Sequence, residues 1–165
     1  LFQRYGPQGW WPADSRFEMM VGAVLTQSVA WTNVEQAIGN LKSARKLTPE
    51  MIRSMSQEEL ATLVYPSGYY NTKARKLKAL AEYLGSQWGD DINAMARGEL
   101  AKLREDLLAV HGIGEETADD ILLYALGKPV FVVDTFTRRL VDRLGLTPEE
   151  DQYLAYQELF LEWCY

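Results

Sequence analysis

The chain has 165 residues, 47% hydrophobic and 24% charged, and it carries 23 Asp and Glu against 17 Lys and Arg for a formal net charge of −6. That is enough to bury one core or two small lobes, while no apolar run approaches the roughly 20 residues a membrane span needs, so no membrane partner is expected. The start lacks a signal-peptide layout and Cys164 is the only cysteine, which excludes an intrachain disulfide and fits a cytoplasmic setting.

Trp10-Trp11-Pro12 forms a stiff aromatic lead-in. Asp14 or Ser15 can cap a helix that carries Phe17, Met20, Val21, Val24 and Leu25 at helical spacing. A second helix is predicted from Thr32 to Leu41. Thr48-Pro49-Glu50 reads as a cap, a first-turn proline and an acid. Ser56-Gln57-Glu58-Glu59 is a capping box ahead of Leu60, Leu63 and Val64. Pro66-Ser67-Gly68 breaks the chain, and Ala74, Leu77, Leu80, Ala81 and Leu84 mark a long helix ending near 85–89. A short turn over 90–96 leads to Leu100, Leu103, Leu107 and Leu108. His111-Gly112-Ile113-Gly114 is a tight turn, followed by a helix with Ala118, Ile121, Leu122 and Ala125 inside. Gly127-Lys128-Pro129 stops it, and Val130–Val133 is short, extended and apolar. The last helices are predicted over Thr135–Leu144 and Glu149–Trp163. No paired strands are found, so the fold class is all-α.

Two stretches carry chemistry. In the first, one helix ends, Gly112 and Gly114 make a hairpin, and a second helix begins at once. Glycines there permit positive φ and close approach of another backbone. The N–H groups at the start of the second helix can hold a phosphate oxygen without a basic side chain. A glycine-rich helix–helix turn with no ligand reads equally well from these residues alone. In the second, Val132-Val133-Asp134-Thr135 delivers one acid to the start of a helix. Asp134 is a plain N-cap or a site carboxylate.

Taken together, these motifs resemble a known family. Gly112-Ile113-Gly114-x-Glu116-Thr117-Ala118 and Pro129 through Thr135 resemble the helix-hairpin-helix and the loop ending in Asp of the endonuclease III superfamily of DNA glycosylases. Gly22-Ala23-Val24-Leu25-Thr26-Gln27 and Ser67-Gly68-Tyr69-Tyr70-Asn71-Thr72-Lys73-Ala74 are similar to two further segments, in family order. Trp10-Trp11-Pro12, Phe17-Glu18, Pro66 through Asn71 and Ala118 through Ala125 resemble the 3-methyladenine glycosylase branch.

The resemblance implies two helical lobes with the active site in the groove between them. One lobe would span 17–128, with the hairpin at 108–126. The other would combine 1–16 with 129–165, and the family pattern continues beyond Trp163. It implies a monomer that acts on double-stranded DNA in base excision repair, flipping out an alkylated base such as 3-methyladenine and hydrolysing its N-glycosidic bond. Asp134 would be the catalytic carboxylate. Trp11, Pro12 and Trp31 would line the base pocket, and Gln27 would fill the gap left by the flipped nucleotide. Gly112, Gly114, Lys73, Lys76 and Arg138 would contact the DNA backbone, although basic runs on helices are also ordinary solvated faces. Strand-nicking relatives use a lysine nucleophile at the position of Glu116, and glutamate cannot form a Schiff base, so no lyase activity is expected. The acids of that helix, Glu115, Glu116, Asp119 and Asp120, are expected mostly to face solvent. No cofactor is required. A monovalent cation could sit on the carbonyls of Leu108, Val110 and Ile113, whereas an iron–sulfur cluster is not expected from Cys164 alone. Two alternatives remain. One is an endonuclease III-like enzyme acting on oxidised or mismatched bases. The other is a non-catalytic hairpin protein that only binds DNA.

Overall fold

The structure, a computed structural model, describes residues 2–7 and 11–163, with the side chains of 2, 162 and 163 outside the description. Trp10 and Cys164 also lie outside the described residues. The described residues contain helices and no strands. In chain order the helices are α1 (Phe2–Tyr5), α2 (Arg16–Leu25), α3 (Trp31–Ser43), α4 (Pro49–Ser54), α5 (Gln57–Leu63), α6 (Tyr70–Trp88), α7 (Ile92–Ala96), α8 (Leu100–Ala109), α9 (Glu115–Asp120), α10 (Thr135–Leu144) and α11 (Tyr153–Trp163). A 3₁₀ turn at Tyr65–Ser67 precedes α6, and a π turn at Ile121–Ala125 continues α9.

Side-chain caps set the helix starts. Ser15 accepts the Glu18 N–H, Thr48 the Met51 N–H and Ser56 the Glu59 N–H. Each satisfies a donor that has no carbonyl within its own helix. The predicted turn at 90–96 contains α7, capped by Asp91 through the Ala94 N–H. The final helix begins at Tyr153, four residues later than Glu149 (153 − 149). Thr147, the natural cap for an earlier start, donates its hydroxyl to Asp142 Oδ1 at 2.7 Å instead.

Two hydrophobic cores give two lobes. The larger runs from Phe17 to Leu126 and includes Met20, Leu25, Leu41, Leu60, Leu77 and Leu84, all inaccessible or nearly so. Burial of each such side chain contributes about 1.5–3 kcal/mol relative to exposure. The smaller core gathers Val133, Val141, Tyr153 and Tyr156. Beside it, the Phe131 and Phe160 rings stack with centroids 4.1 Å apart. Residues 11–16 attach to the larger lobe, not to 129–165 as the sequence suggested. Trp11 lies over Gly22, where a Cβ would meet its Nε1 at 3.3 Å. Arg16 donates to the Ala125 carbonyl, and Lys42 pairs with Asp14 and Glu18 at 2.7 and 2.6 Å. The missing side chain at Gly22 is what admits the indole.

The lobes are joined through one buried carboxylate. Asp119 of α9 is fully buried. Arg104 Nε of α8 donates to its Oδ1 at 2.9 Å. Gln157 of α11 donates to its Oδ2 at 2.9 Å and to the Phe131 carbonyl at 2.6 Å. Val133 N–H, in the segment that crosses between lobes, donates to the Tyr153 hydroxyl at 3.1 Å.

Candidate active site

The hairpin forms as its glycines require. α8 ends at Ala109, the Val110 carbonyl accepts the Ile113 N–H at 3.1 Å, and Gly112 adopts φ +82°. A Cβ on Gly112 would come within 2.6 and 2.7 Å of Lys76 Cδ and Cε, and closer still to Cγ. The glycine therefore serves two purposes: a left-handed backbone and a channel for the Lys76 stem. From the turn between α2 and α3, Gln27 reaches the same place. Its Nε2 donates to Thr117 Oγ1 at 2.9 Å and to the Gly112 carbonyl at 3.3 Å, and its Oε1 accepts from Lys76 Nζ.

A groove of about 590 Å³ opens beside this knot. One lobe lines it with Gln27, Lys76, Gly112 and Gly114, the other with Arg138 and Asp151. A second recess of about 320 Å³ adjoins it, shared by Thr26, Gln27, Glu116, Thr117 and Thr135. Glu116 borders both. Asp134, next to Thr135, is half-buried and caps α10, with Oδ1 accepting the Thr137 N–H at 2.7 Å. Its Oδ2 takes no hydrogen bond among the described residues. Capping and a role in the groove are thus compatible, because they use different oxygens.

The acids of α9 do not mostly face solvent. Glu115 is half-buried at 3.8 Å from Arg104, and only Glu116 is well exposed, at the groove. Asp119 is fully buried and Asp120 partly so. Although Glu116 reaches the groove, loss of water around its carboxyl, with the Asp134 carboxylate nearby, raises its pKa. Burial pushes Asp120 up from 3.8 to about 7, reinforced by Glu116, Asp134 and Asp119. Like charges crowded in a poorly solvated slot favour the neutral acid. Between pH 3.8 and about 7 the folded chain therefore holds a proton that the unfolded chain has lost. This contribution to stability is complete at low pH and disappears as pH rises through that window. Asp120→Asn, neutral at every pH, is expected to raise Tm over the parent at pH 8 and to lose that advantage at pH 4. A difference that stays constant with pH would refute the assignment.

Glu116, Asp120 and Tyr124 follow one another at four-residue spacing, which leads from the groove toward an aromatic cluster. Trp11 packs on Tyr124 with centroids 4.9 Å apart and meets Trp31 edge-on at 5.9 Å. Pro12 and Trp31 also line a separate recess of about 490 Å³ with Glu18, Glu35 and Lys42. The sequence placed Trp11, Pro12 and Trp31 at a base pocket and assigned no role to Tyr124, whose ring packs on Trp11. The spacing from Glu116 was the signal that could have found it.

Residues 21–165 match the HhH-GPD superfamily of base excision DNA repair proteins. The chain belongs to that superfamily. A Methanocaldococcus jannaschii protein assigned to the DNA repair glycosylases is 42% identical over 161 residues, covering 97% of this chain and 73% of that one. Endonuclease III of Thermotoga maritima is 30% identical over 140 residues, 82% of this chain and 62% of its own. Among solved structures, H. pylori 3-methyladenine DNA glycosylase bound to 1,N6-ethenoadenine superposes with a TM-score of 0.84 at 33% identity, covering 98% of this chain and 75% of that one. A non-covalent Endonuclease III–DNA complex gives a TM-score of 0.75 at 25% identity, covering 92% and 66%.

Of the three basic residues that the sequence assigned to DNA contact, two border the groove and one is buried. Lys76 and Arg138 line the groove. Arg138 is held by an ion pair with Asp151 and lies over the Tyr156 ring, 4.5 Å from its centroid. Lys73 is only 2% exposed and points inward. Its ammonium donates to the Leu25 and Ser67 carbonyls at 2.8 and 2.5 Å. Burial, with Lys76 beside it, pushes its pKa down to about 8. Lys73 fastens the end of α2 to the turn before α6, and no phosphate can reach it. Among the described residues no group of three His, Cys, Asp or Glu side chains is arranged to hold a metal. No described helix is long and apolar enough to cross a membrane.

Proposed function

We propose that this chain excises an alkylated base such as 3-methyladenine from duplex DNA by hydrolysis, without cutting the strand. The observation that carries the reading is that Glu116, which borders both recesses and lies near enough to Asp134 for their charges to interact, stands where a strand-nicking mechanism would need a lysine. Among the described residues the one lysine bordering either recess, Lys76, is bonded to Gln27.

In this mechanism the first-turn N–H groups of α9 and the backbone around Gly112 and Gly114 hold a phosphate. Arg138 adds charge at the facing wall. The damaged nucleotide swings out of the stack, and Gln27 takes the place it leaves. As the glycosidic bond lengthens, positive charge grows on the sugar. The Asp134 carboxylate stabilises that charge and accepts a proton from the attacking water. Trp11, Trp31 and Pro12 supply the base pocket, and an electron-rich ring face suits a cationic alkylpurine. The acids at Glu116, Asp120 and Asp134 favour such a cation over a neutral base. A monovalent cation held by the carbonyls of Leu108, Val110 and Ile113 would stiffen the hairpin; Val110 keeps one lone pair for it after accepting the Ile113 N–H. The protein is taken to act as a monomer in the cytoplasm.

The test is base release from duplexes carrying methylated, oxidised or mismatched bases, each analysed with and without alkali. Release of a methylpurine, with strand breaks only after alkali, is expected. Breaks without alkali would overturn the hydrolytic reading. Release confined to oxidised pyrimidines would replace the substrate class.

A further inference from the structure

The amide of Gln27 is oriented by chemistry that leaves no choice. Lys76 can only donate, so it must face the amide oxygen. The Gly112 carbonyl can only accept, so it must face the NH₂. Thr117 Oγ1 completes the set at 2.9 Å from the same nitrogen. These partners come from α6, the hairpin turn and α9, so three segments hold one side chain. The Lys76 stem is itself fixed, lying across the face of Gly112 where a side chain would collide with it. All of these groups border the same groove, together with Gly114. An ammonium in that position has two competing acceptors once DNA arrives: a neutral amide oxygen and an anionic phosphate oxygen. Both bonds carry the charge of the ammonium, but only the phosphate adds an opposite charge, and that Coulombic attraction favours the phosphate.

We infer that Lys76 latches Gln27 against the hairpin until a DNA phosphate draws its ammonium away, so that docking of the backbone releases the side chain that replaces the flipped nucleotide. Lys76 is then a positioning residue that acts through Gln27. Gln27 is kept off undamaged surfaces by the same lysine that first meets the duplex. The inference rests on the glycosylase reading above, in which Gln27 fills the gap.

The experiment follows the Gln27 side-chain NH₂ by NMR in the whole chain, with and without a short undamaged duplex, so that no excision is required. The resonance is assigned from its loss in Gln27→Ala. In the parent it is expected to move toward the shift of a solvated amide when duplex is added. Lys76→Met keeps the stem over Gly112 and lacks the ammonium. It is expected to show, without DNA, the shift that the parent reaches only with duplex, and its duplex affinity should fall with salt less steeply by about 0.9 in the log–log slope. Lys76→Arg, which retains a donor cation, is expected to restore both. An unchanged Gln27 resonance in Lys76→Met overturns the latch. So does a duplex that binds the parent without moving that resonance, and in that case the glycosylase reading stands. Failure to bind any duplex overturns both.

Discussion

Base release is expected to fall by roughly 10²–10⁴-fold in Asp134→Asn, the range that a positioned acid–base group or an electrostatic stabiliser supplies. The substitution isolates the charge. Asparagine is an equally good N-cap, so the Thr137 N–H now held at 2.7 Å by Oδ1 keeps its acceptor and α10 keeps its start. The variant replaces an anionic carboxylate by a neutral amide of nearly the same shape. Duplex binding should stay near the parent's, because the hairpin amides, Lys76 and Arg138 are untouched. Single-turnover excision and duplex affinity, measured on the same preparation, separate the two effects. Excision at the parent's rate would sink the mechanism. Equal losses in rate and affinity would mean that Asp134 shapes the groove without acting on the sugar.

The second large effect concerns Arg104→Met. It leaves the Asp119 carboxylate fully buried without its cation. Removing one partner of a buried pair costs about 3–5 kcal/mol, since the other charge remains desolvated. Gln157 still donates to Asp119 at 2.9 Å, but a neutral amide compensates a carboxylate only in part. Because Gln157 also holds the Phe131 carbonyl, the strain passes into the segment between the lobes. A urea denaturation curve reads the loss directly. The double variant Arg104→Met/Asp119→Asn should recover most of it, because no buried charge is then left. A single variant within about 1 kcal/mol of the parent would show that solvent reaches Asp119.

How much could be read in advance depended on whether the cause was local. Ser15, Thr48 and Ser56 cap their own helices within three residues, so their positions were legible. The Gly112–Gly114 turn and the start of α10 at Asp134 follow from φ preferences and a side-chain cap, and both appear where expected. Lys73 was misread because its partners are distant. Nothing in Lys73-Ala74-Arg75-Lys76 tells that the Leu25 carbonyl, 48 positions earlier, will claim the ammonium. Asp119 is a similar case, since it looks like any helix-surface acid until Arg104 and Gln157 close over it. The attachment of residues 11–16 depended on the gap at Gly22, a tertiary fact written as a missing side chain. The candidate carboxylate, the hairpin and Gln27 were visible. The knot that joins Lys76, Gln27 and Gly112 was not.

The π turn that follows α9 has a bearing on phase. In an α-helix a step of four residues overshoots one full turn, so a row of side chains at that spacing drifts around the axis. From Ile121 the helix widens, with the Leu126 N–H reaching back five residues to the Ile121 carbonyl at 3.0 Å. A wider turn undershoots at the same spacing. The two errors have opposite sign, so Tyr124 stays close to the meridian of Glu116 and Asp120. The surplus residue works as a vernier: it returns the aromatic end of the row toward the bearing of its acidic end.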